Sequence, residues 1–272
     1  MIKLFGSLLK ASESIFPRPQ DKFLLALLTC IGVLISISEL GMVKIFTSIV
    51  VEERPATSGP LALIVFFLLV SIFARFSQYF QRTRRIRIFG KSISATNFKH
   101  KENPWNYALA MEISNIFSHT VQISIVIVFL GFVTIEFGLL TFLAVLLITT
   151  IYGRLFKNQE KFQKRAYQSR FKKEEISVES KVFARVQSGE LGALAAGLMS
   201  ILLIMLLLVG HQMEIISTPG AVICFFGTRL LGTNFSSLAS ALMRYARALV
   251  NSSISTLNDT RNSPNHETLE EW

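Results

Sequence analysis

Long apolar runs constrain this chain more than any other feature, because a helix of about 20 residues is needed to cross a bilayer core about 30 Å thick. Runs of this length, or nearly so, cover Phe23–Val51, Pro60–Phe80, Val121–Tyr152 and Leu191–Val209, and a more broken run covers Gly220–Leu249. Only 17% of the residues are charged, which is unusual for a soluble domain of positive mean hydropathy. The sequence therefore predicts a polytopic membrane protein.

Turn signals divide these runs into six predicted helices. The segments "EERPATSGP" (52–60), "TIEFG" (134–138) and "GHQMEIISTPG" (210–220) are predicted as outward turns or loops. Asn103-Pro104 is typical of an N-cap followed by proline at the first helical position. The predicted fold is an all-α membrane protein with a six-helix transmembrane domain over residues 21–258.

The two ends of the chain are more polar than the apolar runs between them. In the first 20 residues, Ile2, Phe5, Leu8 and Leu9 fall near one helical face, which predicts an amphipathic interfacial helix that ends at "PRPQ" (17–20). The first 16 residues do not fit a cleavable signal peptide, because they are too polar and lack a clear cleavage site. Residues 259–272 are polar and are predicted to form a disordered tail.

The distribution of positive charge predicts the orientation. Of the 28 lysines and arginines, 24 fall in residues 1–22, 82–101, 154–185 and beyond 243, which six spans would place on one side. The positive-inside rule then puts both termini in the cytoplasm, in a bacterial inner (plasma) membrane. The basic block "RTRRIRIFGK" (82–91) could instead bind nucleic acid, but anionic headgroups explain it, so no nucleic-acid partner is predicted. The predicted topology determinants are Arg82, Arg84, Arg85, Arg87 and Lys91.

Three segments carry a resemblance to a known family. "FARFSQYFQRTRRIRIFGKSISATNF", "KFQKRAYQSRFKKEEISVESKVF" and "TRLLGTNFSSLASALMRYARALVNSSISTL" resemble the second, fourth and sixth helices of the transmembrane domain of ABC exporters of the half-transporter type. Together with the predicted elbow helix, six spans and two cytoplasmic excursions, the resemblance covers roughly residues 1–258. It implies that two such domains, as a homo- or hetero-dimer, form one translocation path driven by ATP hydrolysis.

Two departures from the family define the functional hypotheses. The sequence contains no GxxxxGK[ST] loop, so the chain is predicted to be no enzyme and to hold no cofactor itself, with ATP and Mg²⁺ bound by a separate ATPase subunit. The cytoplasmic excursions are also shorter than the family's. The leading hypothesis is a transporter subunit that moves an amphipathic or peptide-like substrate. The alternatives are a non-transporting structural or regulatory subunit, and a channel.

Ionisable residues inside apolar runs are candidates for a polar cavity, because charge is costly within a bilayer. They are Glu39, Arg75 and Arg229. Glu39 could instead form an ion pair with Lys44 near the outer surface, and Arg75 could extend to the inner interface. Arg229 is the charge that is hardest to explain in this way. The small residues around it on the sixth helix suit either a dimer interface or packing within one bundle.

The resemblance also implies short cytoplasmic coupling helices that dock on the ATPase. By position, "KENPWNYAL" (101–109) and "SRFKKEEISVES" (169–180) are the candidates. An exposed aromatic at a loop tip suits docking, although a tryptophan at the membrane interface is the alternative. No CxxC, HExxH or catalytic cluster is found, so no metal or catalytic site is predicted. The docking candidates are Asn103, Pro104, Trp105, Tyr107, Lys172, Lys173, Glu174 and Glu175.

Overall fold

A computed structural model describes residues 2–16, 18–50, 104–171 and 177–261, together with 62, 65–66, 68–73, 75–77, 79–80, 83–84 and 89. These residues are almost entirely helical and include no strand. The helices are α1 (Ile2–Ile15), α2 (Pro19–Val50), α3 (Pro104–Val133), α4 (Ile135–Phe171), α5 (Val178–Gln212) and α6 (Thr218–Arg261). The described residues between 62 and 89 are also helical, and a short apolar helical segment covers Leu68–Ser77.

Four helices are long and apolar enough to cross a membrane. Their candidate spans are Pro19–Ser48, Trp105–Val133, Ile135–Ser169 and Val182–Gln212. Large apolar side chains are exposed along these helices, as expected where lipid is the solvent. The prediction of an all-helical membrane protein is therefore confirmed.

Helix α1 buries one face, although Leu9, which was predicted on the apolar face, is 50% exposed. Leu8, Ala11 and Ile15 are buried, whereas Lys10 and Glu13 are exposed. The buried face packs against α3. The linker that follows is shorter than predicted, because α2 already begins at Pro19, where a proline without an N–H is well tolerated. The interfacial position of α1 stays a prediction.

The connection between α3 and α4 is tighter than the predicted turn at 134–138. Only Thr134 lies between the two helices, and residues 135–138 already belong to α4. Gly138 permits this reversal, since a Cβ on it would overlap the Cα of Gly131 and lie 2.8 Å from its nitrogen. The two backbones therefore meet where a larger residue at position 138 would separate them.

The connection between α5 and α6 is also shorter than the predicted loop at 210–220. Helix α5 extends to Gln212, and α6 begins at Thr218. The residue before α6 is Ser217, whose hydroxyl accepts a hydrogen bond from the Gly220 N–H at 3.4 Å. At its other end α6 continues to Arg261, three residues into the predicted polar tail. Residues 262–272 lie outside the described part of the chain.

The segment predicted as the second cytoplasmic excursion consists largely of helix extensions. Helix α4 has 37 residues, about 55 Å, and α5 has 35 residues, about 52 Å, so both exceed a bilayer core of about 30 Å. Ser177 caps α5, because its hydroxyl accepts a hydrogen bond from the Ser180 N–H at 3.2 Å. The six positions 172–177 separate the end of α4 from the start of α5.

Helix α6 is the centre of the bundle. It packs against α2, α3, α4 and α5, and Leu231, Phe235 and Ala239 on it are almost completely buried. Small residues lie at some of its closest contacts with its neighbours. A Cβ on Gly227 would lie 2.7 Å from Leu130 Cδ2, and a Cβ on Gly192 of α5 would lie 2.7 Å from Ala239 Cβ. These small residues thus pack within one bundle.

Candidate functional site

A cavity of about 360 Å³ lies where α3, α4, α5 and α6 meet, and we call it the end cavity. It includes Trp105 and Glu112 from α3, Gln159 from α4, Gly189 from α5, and Arg244 and Arg247 from α6. Trp105, Glu112 and Gly189 lie near the starts of their helices, and Gln159 lies towards the end of α4. The end cavity is therefore at the end of the bundle from which α3 and α5 start.

Two contacts across the end cavity join α3 to α6. The Arg244 Nε donates to Glu112 Oε1 at 2.7 Å, and the Asn115 amide donates to Glu112 Oε2 at 3.2 Å. The Arg247 guanidinium carbon lies 5.3 Å from the centre of the Trp105 ring, which is a cation–π distance. Both arginines therefore have a partner on α3.

The Glu112–Arg244 pair is expected to stabilise the bundle only weakly. The Arg244 side chain is 55% exposed and the Glu112 side chain is 13% exposed, so solvent screens their attraction. We expect a double-mutant cycle of Glu112→Gln and Arg244→Gln, followed by thermal unfolding, to give a coupling of about 0.2–1 kcal/mol. The Glu160–Lys164 pair within α4 is the control. A coupling above about 2 kcal/mol would show that the pair holds the bundle closed.

A second cavity, of about 420 Å³, lies between α5 and α6. Its walls are mostly small, with Ala193, Gly197 and Ser200 on α5 and Gly232 on α6. Arg229 of α6 lines it and is exposed. Within the described residues, no ion pair or side-chain hydrogen bond engages the Arg229 guanidinium.

Helical spacing places the two cavities on the same side of the α5–α6 contact. The lining positions of α6 recur every three or four residues through both cavities, and so do those of α5. We call the resulting strip the arginine groove. On α6 it contains Phe225, Arg229, Gly232, Ser236, Ser240, Met243, Arg244 and Arg247, and on α5 it contains Gly189, Ala193, Ala196, Gly197, Ser200 and Ile204.

The arginine groove runs along the middle of a candidate span. Gly197 is the central residue of the span Val182–Gln212, and Gly189 lies near its start. Arg229 is eleven residues, about 16 Å, from the first residue of α6, and Arg244 is a further fifteen residues, about 22 Å, along the helix. The groove therefore carries cations both at its end and at its middle.

The lining of the groove is positively charged. Three arginines line its two cavities, and Glu112 is the one carboxylate among the lining residues. Serine hydroxyls and glycine backbone supply further polar surface. An elongated, small-walled and cationic groove is suited to hold an anionic group rather than to carry out covalent chemistry.

The structure brings together two of the three predicted cavity residues, Glu39 and Arg75, and places Arg229 apart from them. Glu39 of α2 is half-buried and lies close enough to Arg75 for their charges to interact. Arg229 lines the groove, and no ion pair joins it to Glu39 within the described residues. Lys44 is exposed. Thus the charge near Glu39 is Arg75, a combination that the sequence did not indicate.

The predicted docking residues fall into two groups. Trp105 is half-buried under Arg247 in the end cavity, Tyr107 is also half-buried, and Pro104 is the first residue of α3. Asn103, Lys172, Lys173, Glu174 and Glu175 lie outside the described residues. Of the predicted topology determinants, Arg84 is exposed with its guanidinium carbon 5.1 Å from the Phe80 ring centre. Arg82, Arg85, Arg87 and Lys91 lie outside the described residues.

A buried polar contact between α2, α3 and α6 was not predicted. His119 Nδ1 lies 3.2 Å from Gln122 Oε1 and 3.3 Å from Asn234 Oδ1, within hydrogen-bond distance of both. Gln122 donates to the Gly32 carbonyl at 2.9 Å. The available signal was the spacing of two polar residues, His119 and Gln122, three apart in an apolar run. Such hydrogen bonds between apolar helices are worth about 0.6 kcal/mol on average.

The helices and their apolar surfaces define the class: the chain is an α-helical integral membrane protein. No protein-family model matches it, and no curated protein shows significant similarity to it.

Proposed function

We propose that this chain is the membrane subunit of an ABC-exporter-like transporter that works with a separate ATPase. The observation that carries the proposal is the arginine groove, which leads from the end cavity to the middle of the span Val182–Gln212. Two neighbouring cavities along the same pair of helices, with cations at two depths, are typical of a path for a substrate. The substrate is an amphipathic molecule.

In this proposal the chain crosses the membrane six times. The spans are α2, the helical residues within 62–89, and α3 to α6, and α1 lies at the cytoplasmic interface. Helix α6 is not one of the four candidate spans, but four helices pack against it, so less of its surface has to be apolar. The charge distribution then places both termini and the end cavity on the cytoplasmic side of a bacterial inner membrane.

The lengths of the helices support a likeness to exporters. Helices α4, α5 and α6 have 37, 35 and 44 residues, so each is long enough to extend well beyond a bilayer. The starting turn of α3 would be the docking site for the ATPase, which binds ATP and Mg²⁺. Because Arg247 covers Trp105, docking there would act directly on α6 and on the groove. Two copies, or this chain and a related one, would complete the path.

Purification from the native membrane in mild detergent tests this proposal. We expect an ATPase subunit to copurify, and we expect ATP hydrolysis by the complex to fall at least tenfold in Trp105→Ala. The matched control is Phe132→Ala, because Phe132 is an 86% exposed aromatic at the opposite end of α3. Recovery of the chain without any ATPase, or equal hydrolysis in both variants, would contradict the proposal.

One observation favours the second candidate function, a non-transporting structural or regulatory subunit. Only the positions 172–177 separate α4 from α5, and both helices pack against α3 or α6 of the same chain. Both ends of the predicted second coupling segment, 169–171 and 178–180, belong to α4 and α5 themselves. This alternative predicts copurification with partners that hydrolyse no ATP, and an unchanged pattern of partners in Arg229→Gln.

A further inference from the structure

The environment of Arg229 is unusual for an arginine beside apolar helices. Its side chain is exposed, and within the described residues nothing pairs with its guanidinium. It faces Gly197 and Ser200 across the groove, at the middle of the span Val182–Gln212. A cation at such a depth requires an anionic partner or water, because hydrocarbon cannot solvate it.

The shape of the groove leaves space for that partner. Ala193, Ala196, Gly197 and Gly232 line about 420 Å³ beside Arg229, and none has a side chain larger than a methyl group. Ser200 and Ser236 add hydroxyl groups. A group the size of a phosphate diester fits this volume and could accept hydrogen bonds from both the guanidinium and a hydroxyl.

The groove is also accessible from the side. On α5, the exposed side chains Leu194, Leu198 and Ile201 alternate with the groove positions and are 57–59% exposed. On α6, Phe225 and Phe226 are 39% and 37% exposed. An apolar, lipid-facing surface therefore adjoins the cationic groove, so a molecule with an acyl chain can contact both.

We propose that the arginine groove binds an anionic phospholipid, with its phosphate against Arg229 and its acyl chains along the apolar surface of α5. Arg244 and Arg247 lie about 22 Å and about 27 Å further along α6 and provide a second cationic position, where headgroups enter the groove. The idea that this lipid is the substrate of a transporter rests on the proposed function. The binding of the lipid to the groove does not depend on that function.

A second copy of the chain is the competing occupant, because small residues also permit close packing of helices. A second copy would have to supply a carboxylate at the depth of Arg229. Among the described residues, Glu39 is the acidic residue deep within an apolar candidate span, and it faces Arg75. The described part of the chain therefore offers no matching carboxylate, whereas an anionic lipid brings its own charge.

The test is native mass spectrometry of the full-length chain, titrated in mild detergent with phosphatidylglycerol or phosphatidylcholine. We expect tighter binding of phosphatidylglycerol, and about a tenfold loss of that affinity in Arg229→Gln, which corresponds to about 1.4 kcal/mol. Arg229→Lys should keep most of the affinity because it keeps the charge. Arg154→Gln is the matched control, since Arg154 is an exposed arginine on α4 outside the groove.

Several outcomes would overturn the proposal. The first two are equal binding of the two lipids and an equal loss of phosphatidylglycerol affinity in Arg154→Gln. The third is displacement of the lipid by inorganic phosphate. The fourth is a change from dimer to monomer in Arg229→Gln with no change in bound lipid. Unfolding temperatures of all variants show whether the fold is intact. The assay uses no ATP and no partner, so loss of lipid selectivity refutes the site, whereas absence of an ATPase refutes only the proposed function.

Discussion

Replacing Gly138 by alanine is expected to destabilise the protein more than any other single methyl addition that we consider. The new Cβ would overlap the Cα of Gly131 and lie 2.8 Å from its nitrogen, so the clash is with backbone that cannot rotate away. Overpacking usually costs about 1–3 kcal/mol, occasionally more, and we expect the upper end, about 3 kcal/mol, because the hairpin must open. Thermal unfolding of the purified chain in detergent measures this effect.

The neighbouring glycine supplies a matched control. A Cβ on Gly131 would meet nothing within 4 Å, although this residue belongs to the same close contact. Gly131→Ala should therefore be neutral or slightly stabilising, since alanine is favoured over glycine in a helix by about 0.5–1 kcal/mol. Equal unfolding temperatures for the two variants would show that the hairpin is not as closely packed as described.

The second large effect is expected at Tyr152 of α4. This side chain is 1% exposed, and its hydroxyl donates to the Phe235 carbonyl at 3.0 Å and lies 3.3 Å from the Gly192 carbonyl. It thus joins α4 to α5 and α6 beside the groove. Truncation of a buried aromatic to alanine costs about 3–5 kcal/mol, so Tyr152→Ala should lower the unfolding temperature strongly.

Two further variants separate packing from hydrogen bonding at this position. Tyr152→Phe keeps the ring and loses the hydroxyl, so the expected cost is about 0.6–1.7 kcal/mol, as for other hydrogen bonds between membrane helices. Phe132→Ala removes an aromatic ring that is 86% exposed and should be nearly neutral. If Tyr152→Phe were as damaging as Tyr152→Ala, the hydroxyl rather than the packed ring would hold the three helices together.

The turns show where prediction from sequence was wrong and why. The segments 134–138 and 210–220 contain residues that are typical of turns, but most of the first segment and both ends of the second are helical. Close approach of Gly131 to Gly138 shortens the first connection to one residue. Such contacts depend on how two helices pack, which local composition does not specify.

The contacts within the candidate site depend even more on how the helices pack than the turns do. Glu112 and Arg244 are separated by 132 residues, and the His119–Asn234 contact spans 115 residues. Arg229 was recognised in the sequence because a charge in an apolar run is a local feature. The sequence did not indicate that Arg229 shares a groove with Gly197 and Ser200, since helix rotation decides which residues face each other.

By itself, the sequence determined that this protein is helical and belongs in a membrane. Length and hydropathy of a run are local properties, and a bilayer accepts only segments whose backbone hydrogen bonds are satisfied internally. The tertiary structure alone decided that α6 is the central helix and that its arginines share one groove with α5. The physical reason is that packing decides which residues meet: Gly227 of α6 lies against Leu130 of α3, whereas Gly232 of α6 and Gly192 of α5 bring α5 and α6 close together.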